Sequence, residues 1–251
     1  MISRISGAAI AAITLLALPA AAQDGDLESL ANQGSAFVKG KTGGAWHAEV
    51  ERTERGFRIG NPDADAALIE FISYTCPACG RFAQNGEGAL DMTVLAPGEA
   101  TVEIRPVIRN AIDLTVSLLV QCGGADGFKD RHRLFMLQQD SWMAKVRSAP
   151  QAQQAAWARG DRASRVNAAY ALDFDDLLEP FGMTKPQMDQ CLNDDQAALA
   201  LIRNGNANRE ELGVNSTPSF ALDGKLLQDV HDWNALYPVL VARFSPTPEQ
   251  E

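Results

Sequence analysis

The chain has 251 residues, and its 22 Lys and Arg stand against 32 Asp and Glu, a formal charge of −10. No Lys/Arg run and no helix with a basic face interrupts that acidity, which excludes nucleic acid or an anionic membrane surface as a partner, since phosphate recognition needs clustered cations. The four cysteines are an even number and leave disulfide chemistry open.

Residues 1–22 read as a secretory signal. Arg4 supplies the positive start, Ala8 to Leu18 the short apolar stretch, and Ala20 and Ala22 an A-x-A site, with Gln23 the expected mature start. The stretch is shorter than the roughly 20 residues that span a bilayer. No lipid-bearing Cys follows it, and no later segment is long and apolar enough to span. The expectation is a soluble, exported protein of 229 residues, its charge −11 once Arg4 is lost. That length supports a core without staples, and export places the cysteines where disulfides persist. The alternative for residues 1–22 is a buried N-terminal helix.

Residues 23–44 are polar and weakly patterned, a loose arm with one short helix. His47 to Arg52 and Phe57 to Ile59 alternate around Gly56 and predict a hairpin, so an arm with its hairpin covers 23–62. Gly60 to Asp65 is turn chemistry. Ala67 to Ser73 is an apolar run suited to a buried strand. A helix from Pro77 through Leu90 follows at once, Pro77 being well placed as its first residue, and a second strand covers Thr101 to Val107. This is a βαβ unit. From about Asn110 to Leu212 the pattern is helical: Ala111 to Gln121, Phe128 to Met143, Ala152 to Ala171, a capping-box start at Thr184-x-x-Gln187 running to Leu192, and Ala197 to Leu212 closed by Gly213. A hairpin of Ser219 to Leu222 and Lys225 to Leu227, turning at Asp223-Gly224, leads to a closing helix from Asp232 to Phe244. Residues 245–251 read as a frayed tail.

Cys76 and Cys79 sit at the strand-to-helix turn. A thiol exchanges disulfides only as thiolate, and an ordinary Cys is mostly protonated at neutral pH. The start of a helix aims unpaired N–H groups and the positive dipole end at Cys76, which lowers its pKa and makes it a better leaving group. Cys79, one turn on, faces inward, placed to attack a mixed disulfide. A permanent disulfide between them would close a very small loop and stabilise little. Zinc would need a second close pair or a Cys/His pair, and Cys122, Cys191, His47, His132 and His231 are scattered. A copper-handling site is a further alternative. No metal and no cofactor is expected.

Phe71-Ile-Ser-Tyr-Thr-Cys76-Pro77-Ala78-Cys79, with Gly213-Val-Asn-Ser-Thr217-Pro218-Ser-Phe much later, resembles the DsbA-like thiol–disulfide oxidoreductases. The resemblance covers most of the mature chain. It implies an α/β fold: a thioredoxin-like mixed sheet flanked by helices (63–109 and 209–244) with an inserted all-helical domain (110–208). It further implies that Pro218 is a cis-proline lying against the dithiol, that Thr217 contacts substrate and tunes redox behaviour, and that Pro77 and Ala78 border the substrate. Glu70, six residues before Cys76, matches a buried acid that relays the proton of Cys79; the bland alternative is an outward-pointing strand residue. The implied partners are reduced or mispaired exported proteins and a membrane-bound redox partner, in the periplasm. Where an oxidising member has His in its motif, this chain has Pro77-Ala78, so a less acidic Cys76 and a less oxidising protein are expected. Oxidase, isomerase and reductase all remain open, as does a thioredoxin-fold chaperone or metal-binding module.

Of the three possible connectivities, the close pair plus the distant pair is preferred. Bonded, Cys122 and Cys191 would close a loop of about 70 residues, worth roughly 4 kcal/mol on the chain-entropy model. A structural staple is the main reading; a second redox relay and two free buried thiols are the rivals. Asn215-Ser-Thr217 matches a glycosylation sequon, but Pro218 disfavours it. Tyr74 and Phe220 are expected near the dithiol or in the core, Trp142 and Trp157 in helix packing, and the three His at the surface.

Overall fold

A computed structural model describes residues 45–244. The expected signal over 1–22, arm over 23–44 and tail over 245–251 lie outside the described residues. After a single 3₁₀ turn at Trp46–Ala48 come β1 (Val50–Arg52), β2 (Phe57–Gly60) and β3 (Ala66–Ile72). Residues 77–95 form one continuous helix, α1, which starts as Pro77–Phe82 and widens into π-type turns at Ala83–Glu87 and Asp91–Leu95. Strand β4 (Ala100–Pro106) closes the βαβ unit. Eight helices then lead to the next strand: α2 (Ala111–Gln121), α3 (Phe128–Leu137), α4 (Gln139–Ser148), α5 (Gln151–Trp157), α6 (Arg162–Ala171), α7 (Phe174–Leu178), α8 (Lys185–Leu192) and α9 (Asp195–Leu212). Strands β5 (Ser219–Leu222) and β6 (Lys225–Leu226) and helix α10 (Trp233–Phe244) complete the described chain.

The strands form one six-stranded sheet in the order β1-β2-β4-β3-β5-β6. Only β3 and β4 are parallel, Leu68 opposite Val102 and Glu70 opposite Ile104; every other pairing is antiparallel. The expected hairpin is shorter than its alternation suggests, because His47 and Ala48 turn in the 3₁₀ segment, but β1 and β2 extend the same sheet through β4.

Strand side chains alternate between faces. Leu68 and Ile72 join Phe57, Val102 and Ile104 under Phe82, Leu90 and Val94 of α1, and this apolar cluster continues without a break to Val116, Phe128, Phe135, Trp142, Trp157, Phe174 and Leu192 of the helices. The helical segment and the sheet therefore share one core. On the opposite face Phe71 packs with Val107, Val214 and Ala221.

Two expected long helices are each broken. Phe128 to Met143 divides at Gln138, and the Phe135 carbonyl of α3 accepts from Trp142 Nε1 of α4 at 2.9 Å across the break. Ala152 to Ala171 divides at Gly160, whose φ of 67° admits the turn, and Asp161 then caps α6 through Ser164 N at 2.8 Å. The capping box at Thr184 and Gln187 starts α8.

Candidate active site

Strand β3 delivers the chain to Cys76, which sits in extended conformation as the N-cap of α1 with Pro77 at the first helical position. Pro77 is exposed and Ala78 half-buried, so the two intervening residues form the outer lip of the turn. Both cysteines are free thiols. The Cys76 thiol is pulled down to about 5: the hydrogen bond from Cys79 is the largest cause, burial opposes it, and the Thr217 side chain and the N–H groups of Cys79 and Ala78 add to the lowering. Cys79, 1 % exposed, is pushed well above the ordinary thiol range by burial, then by its hydrogen bond to Cys76 and by the negative charge there. One proton is thus held on the inner sulfur while the outer one is ionised.

The Thr217–Pro218 peptide is cis. It brings the Thr217 carbonyl to 3.0 Å from Cys76 Sγ, a contact in which the protonated thiol donates. His231 Nδ1 donates to the Pro218 carbonyl at 2.7 Å and fixes this loop from α10's side.

The turn carrying Cys76 is held from below by the start of α2. Asp113 Oδ1 accepts from Tyr74 N at 2.8 Å, and Oδ2 accepts from Ser73 Oγ at 2.6 Å and Arg109 N at 3.0 Å. Asn110 caps α2 through Asp113 N and donates to Thr75 Oγ1 at 2.8 Å. Burial raises the Asp113 carboxyl to about 6 against these hydrogen bonds. From α4, Gln139 Nε2 donates to the carbonyls of Tyr74 and Cys76, at 2.7 and 3.0 Å. Asp113 and Gln139 carry no motif of their own; the only signal is an acid in the first turn of the otherwise apolar α2, three residues after an Asn N-cap.

Glu70 shares the strand face of Leu68 and Ile72 and is 1 % exposed, so it points inward beneath α1. Its Oε2 has no hydrogen-bond partner among the described residues. Burial, then the charge of Glu87, raises its carboxyl well above the usual range, and its own charge acts on Cys79. Glu87 Oε1 lies 3.0 Å from His132 Nε2, and His132 Nδ1 lies 2.9 Å from the Tyr74 hydroxyl. His132 is therefore not a surface residue: it follows Phe128 by four residues and precedes Met136 by four, on the buried face of α3. His47 is exposed, and His231 is exposed at its edge while bonded to Pro218. Tyr74 is buried in the same network, and Phe220 packs on Phe82 with ring centroids 4.9 Å apart.

Cys122 and Cys191 are bonded to each other, Cα atoms 5.8 Å apart. The bond joins the C-terminal end of α2 to α8, roughly 16 Å along α2 from the end that supports the dithiol. Among the described residues no group of three or more His, Cys, Asp or Glu is placed to hold a metal ion, and no helix is long and apolar enough to cross a membrane.

The family model described as Thioredoxin matches residues 52–240, about three quarters of the chain. The chain belongs to the thioredoxin family. Within that family, a solved structure described as a protein-disulfide isomerase from Novosphingobium aromaticivorans is 35 % identical with a TM-score of 0.72, over 75 % of this chain and 97 % of that one. Wolbachia pipientis alpha-DsbA1 shares the fold at 16 % identity and a TM-score of 0.59, over 74 % of this chain and 89 % of that one. A curated relative from Rickettsia conorii, named as a protein-disulfide oxidoreductase, is 25 % identical over 171 residues, 66 % of this chain and 52 % of its own. The chain spans about half the length of the curated relatives it matches first. The fold is thus thioredoxin-like with a DsbA-like run of helices between β4 and β5.

Proposed function

We propose that this protein is a thiol–disulfide oxidoreductase of the periplasm that introduces disulfides into exported proteins through Cys76 and Cys79. The observation that carries the reading is the placement of the pair: Cys76 stands at the N-cap of α1 with its Sγ 3.0 Å from the Thr217 carbonyl, and Cys79 is buried one turn further in, an arrangement that lowers the outer thiol and raises the inner one. In the disulfide form, a substrate thiolate attacks Cys76, the Cys76–Cys79 bond breaks and its electron pair leaves on Cys79. The substrate's second thiolate then attacks the mixed disulfide and expels Cys76 as thiolate. Two electrons pass to the pair, and the substrate gains one disulfide. A stabilised Cys76 thiolate favours this direction because it stabilises the dithiol product.

In this reading Glu70 relays the proton of Cys79, supplying it as Cys79 leaves and taking it back on reoxidation, Thr217 and Pro218 offer backbone to an extended substrate as an added strand would, and Pro77 and Ala78 border it. A membrane-bound partner reoxidises the pair. The signal over 1–22 delivers the chain, and the 110–208 insertion is the part that holds the dithiol turn through Asp113 and Gln139. The Cys122–Cys191 bond is a staple rather than a relay.

The test is the reduction potential of Cys76–Cys79, read by mass after alkylation in glutathione buffers. A two-electron transition between about −120 and −200 mV supports oxidation or isomerisation, and one near about −270 mV supports a reductant instead. Isomerisation is the second reading, favoured by the description of the Novosphingobium protein. A client with mispaired disulfides, incubated with the dithiol form alone, regains native pairing only if that reading holds.

A further inference from the structure

Beside Cys76 opens a cleft of about 300 Å³ whose walls come from the β4–α2 loop, α9 and the loop before β5. Its lining includes two arginines, Arg109 and Arg209, and the polar Asn215, Ser216 and Thr217, but no carboxylate. Arg209 is tied down by hydrogen bonds from Nη2 to Ile108 O and from Nη1 to Asn206 Oδ1, at 3.0 and 3.1 Å. It thereby braces the residue before Arg109. The Arg109 backbone is fixed by Asp113 while its side chain stays exposed. Neither guanidinium forms an ion pair among the described residues, a state they share with Arg52, Arg81, Arg131, Arg147 and Arg203; what sets Arg109 and Arg209 apart is that they line one cleft together beside Cys76.

Two guanidinium groups from separate elements thus line one cleft with the reactive sulfur and no carboxylate, a lining whose charge suits an anion from outside. A guanidinium recognises carboxylate in two parallel hydrogen bonds, and it does so without lowering the accessibility of Cys76, which faces the same cleft. A free cleft of this size takes one or two side chains next to an extended backbone.

Resting on the exchange reading above, we infer that Arg109 and Arg209 select polypeptide segments carrying an acidic side chain beside the exchanging cysteine. The same pair disfavours segments with Lys or Arg there, so the field acts as selection in both senses.

The test uses the full oxidised protein and short peptides with one cysteine flanked by Glu, Gln or Lys. Each rate is divided by the same peptide's rate with a small neutral disulfide, because flanking charge alters the thiol's own pKa. The Glu peptide is expected to open Cys76–Cys79 about tenfold faster than the Lys peptide at low salt, the gap closing as salt screens it. The variant R109E, whose native side chain makes no hydrogen bond among the described residues, narrows that ratio, and R109E/R209E inverts it. Serine-for-cysteine versions of the peptides bind without exchanging, so their Kd values read the cleft even where a variant reacts poorly. Equal normalised rates and equal Kd values for Glu and Lys peptides would overturn this inference and leave the exchange reading standing. If no peptide of any charge opens the disulfide, the exchange reading fails and the inference goes with it.

Discussion

At the scale of single residues, the ionisation of Cys76 governs what the pair does. Its thiol is lowered to about 5 in the folded dithiol protein, against roughly 8.5 for an unfolded chain. The folded state therefore binds fewer protons between those values, and stability rises with pH across them. The contribution is fully present above the unfolded value and is lost as pH falls through about 5. The disulfide form has no such group. The difference in Tm between reduced and oxidised protein should shift in favour of the reduced form from pH 5 to pH 8, and Cys76 alkylation should fall to half its plateau at about pH 5. A pH-independent difference would sink the assignment. Glu70 has the opposite sign: burial raises its carboxyl, so the folded state holds a proton that the unfolded chain releases above roughly 4.3. Glu70→Gln mimics the neutral acid. Its stability relative to the parent should grow as pH rises beyond that value, while the mixed disulfide at Cys76 should live about a hundredfold longer for want of a proton acceptor. Removing a charge that holds Cys79 protonated works against this. An unchanged mixed-disulfide lifetime would show that Glu70 is a packing residue.

At the scale of elements, the dithiol helix is positioned by a close approach. A Cβ at Gly80 would stand 2.5 Å from Gln139 Oε1 and 2.9 Å from its Cδ. Gln139 is 2 % exposed and holds the carbonyls of Tyr74 and Cys76, so it has nowhere to retreat without dropping both. Gly80→Ala should therefore destabilise by about 1–3 kcal/mol for the stranded carbonyls, which exceeds the roughly 0.5–1 kcal/mol that Ala gains over Gly within a helix. Thermal unfolding checks the net sign, and a more stable variant would refute the argument. The elements also mark where sequence reading stops. Strand β3, the Pro77 start of α1, the capping box at Thr184 and the β5–β6 turn are written in local residue choice, and the sequence places them to within a residue or two. The break at Gln138 is not, because no Gly or Pro marks it; the Trp142 indole bonds back to the Phe135 carbonyl across it, seven residues upstream. The same holds for the support of the site. Glu70 was accessible only through the family resemblance, its strand position alone allowing an outward-pointing residue, and Asp113, Gln139 and His132 act on partners 39 to 65 residues away, a pairing only the folded chain supplies.

At the scale of the whole molecule, the chain's four cysteines divide into a bonded pair, Cys122 and Cys191, and a free pair, Cys76 and Cys79. The bond encloses α3 to α7 in a loop of sequence separation 69. Cross-linking so long a loop removes denatured-state entropy worth roughly 4 kcal/mol. The helices it encloses share a continuous core with the sheet, so a cooperative loss of the loop would also expose the face that α1 packs on. Cys122→Ala/Cys191→Ala should lower Tm by about 10 °C, taking 2–4 °C per kcal/mol for a domain of this size. The exchange rate at Cys76 should stay within about twofold at 25 °C, because Asp113 supports the dithiol from the other end of α2 and does not depend on the bond's redox state. The combined result separates a staple from a relay. Lower Tm with unchanged exchange fits a staple; unchanged Tm with slower turnover means that electrons pass between the two pairs, and the division of labour argued here is wrong.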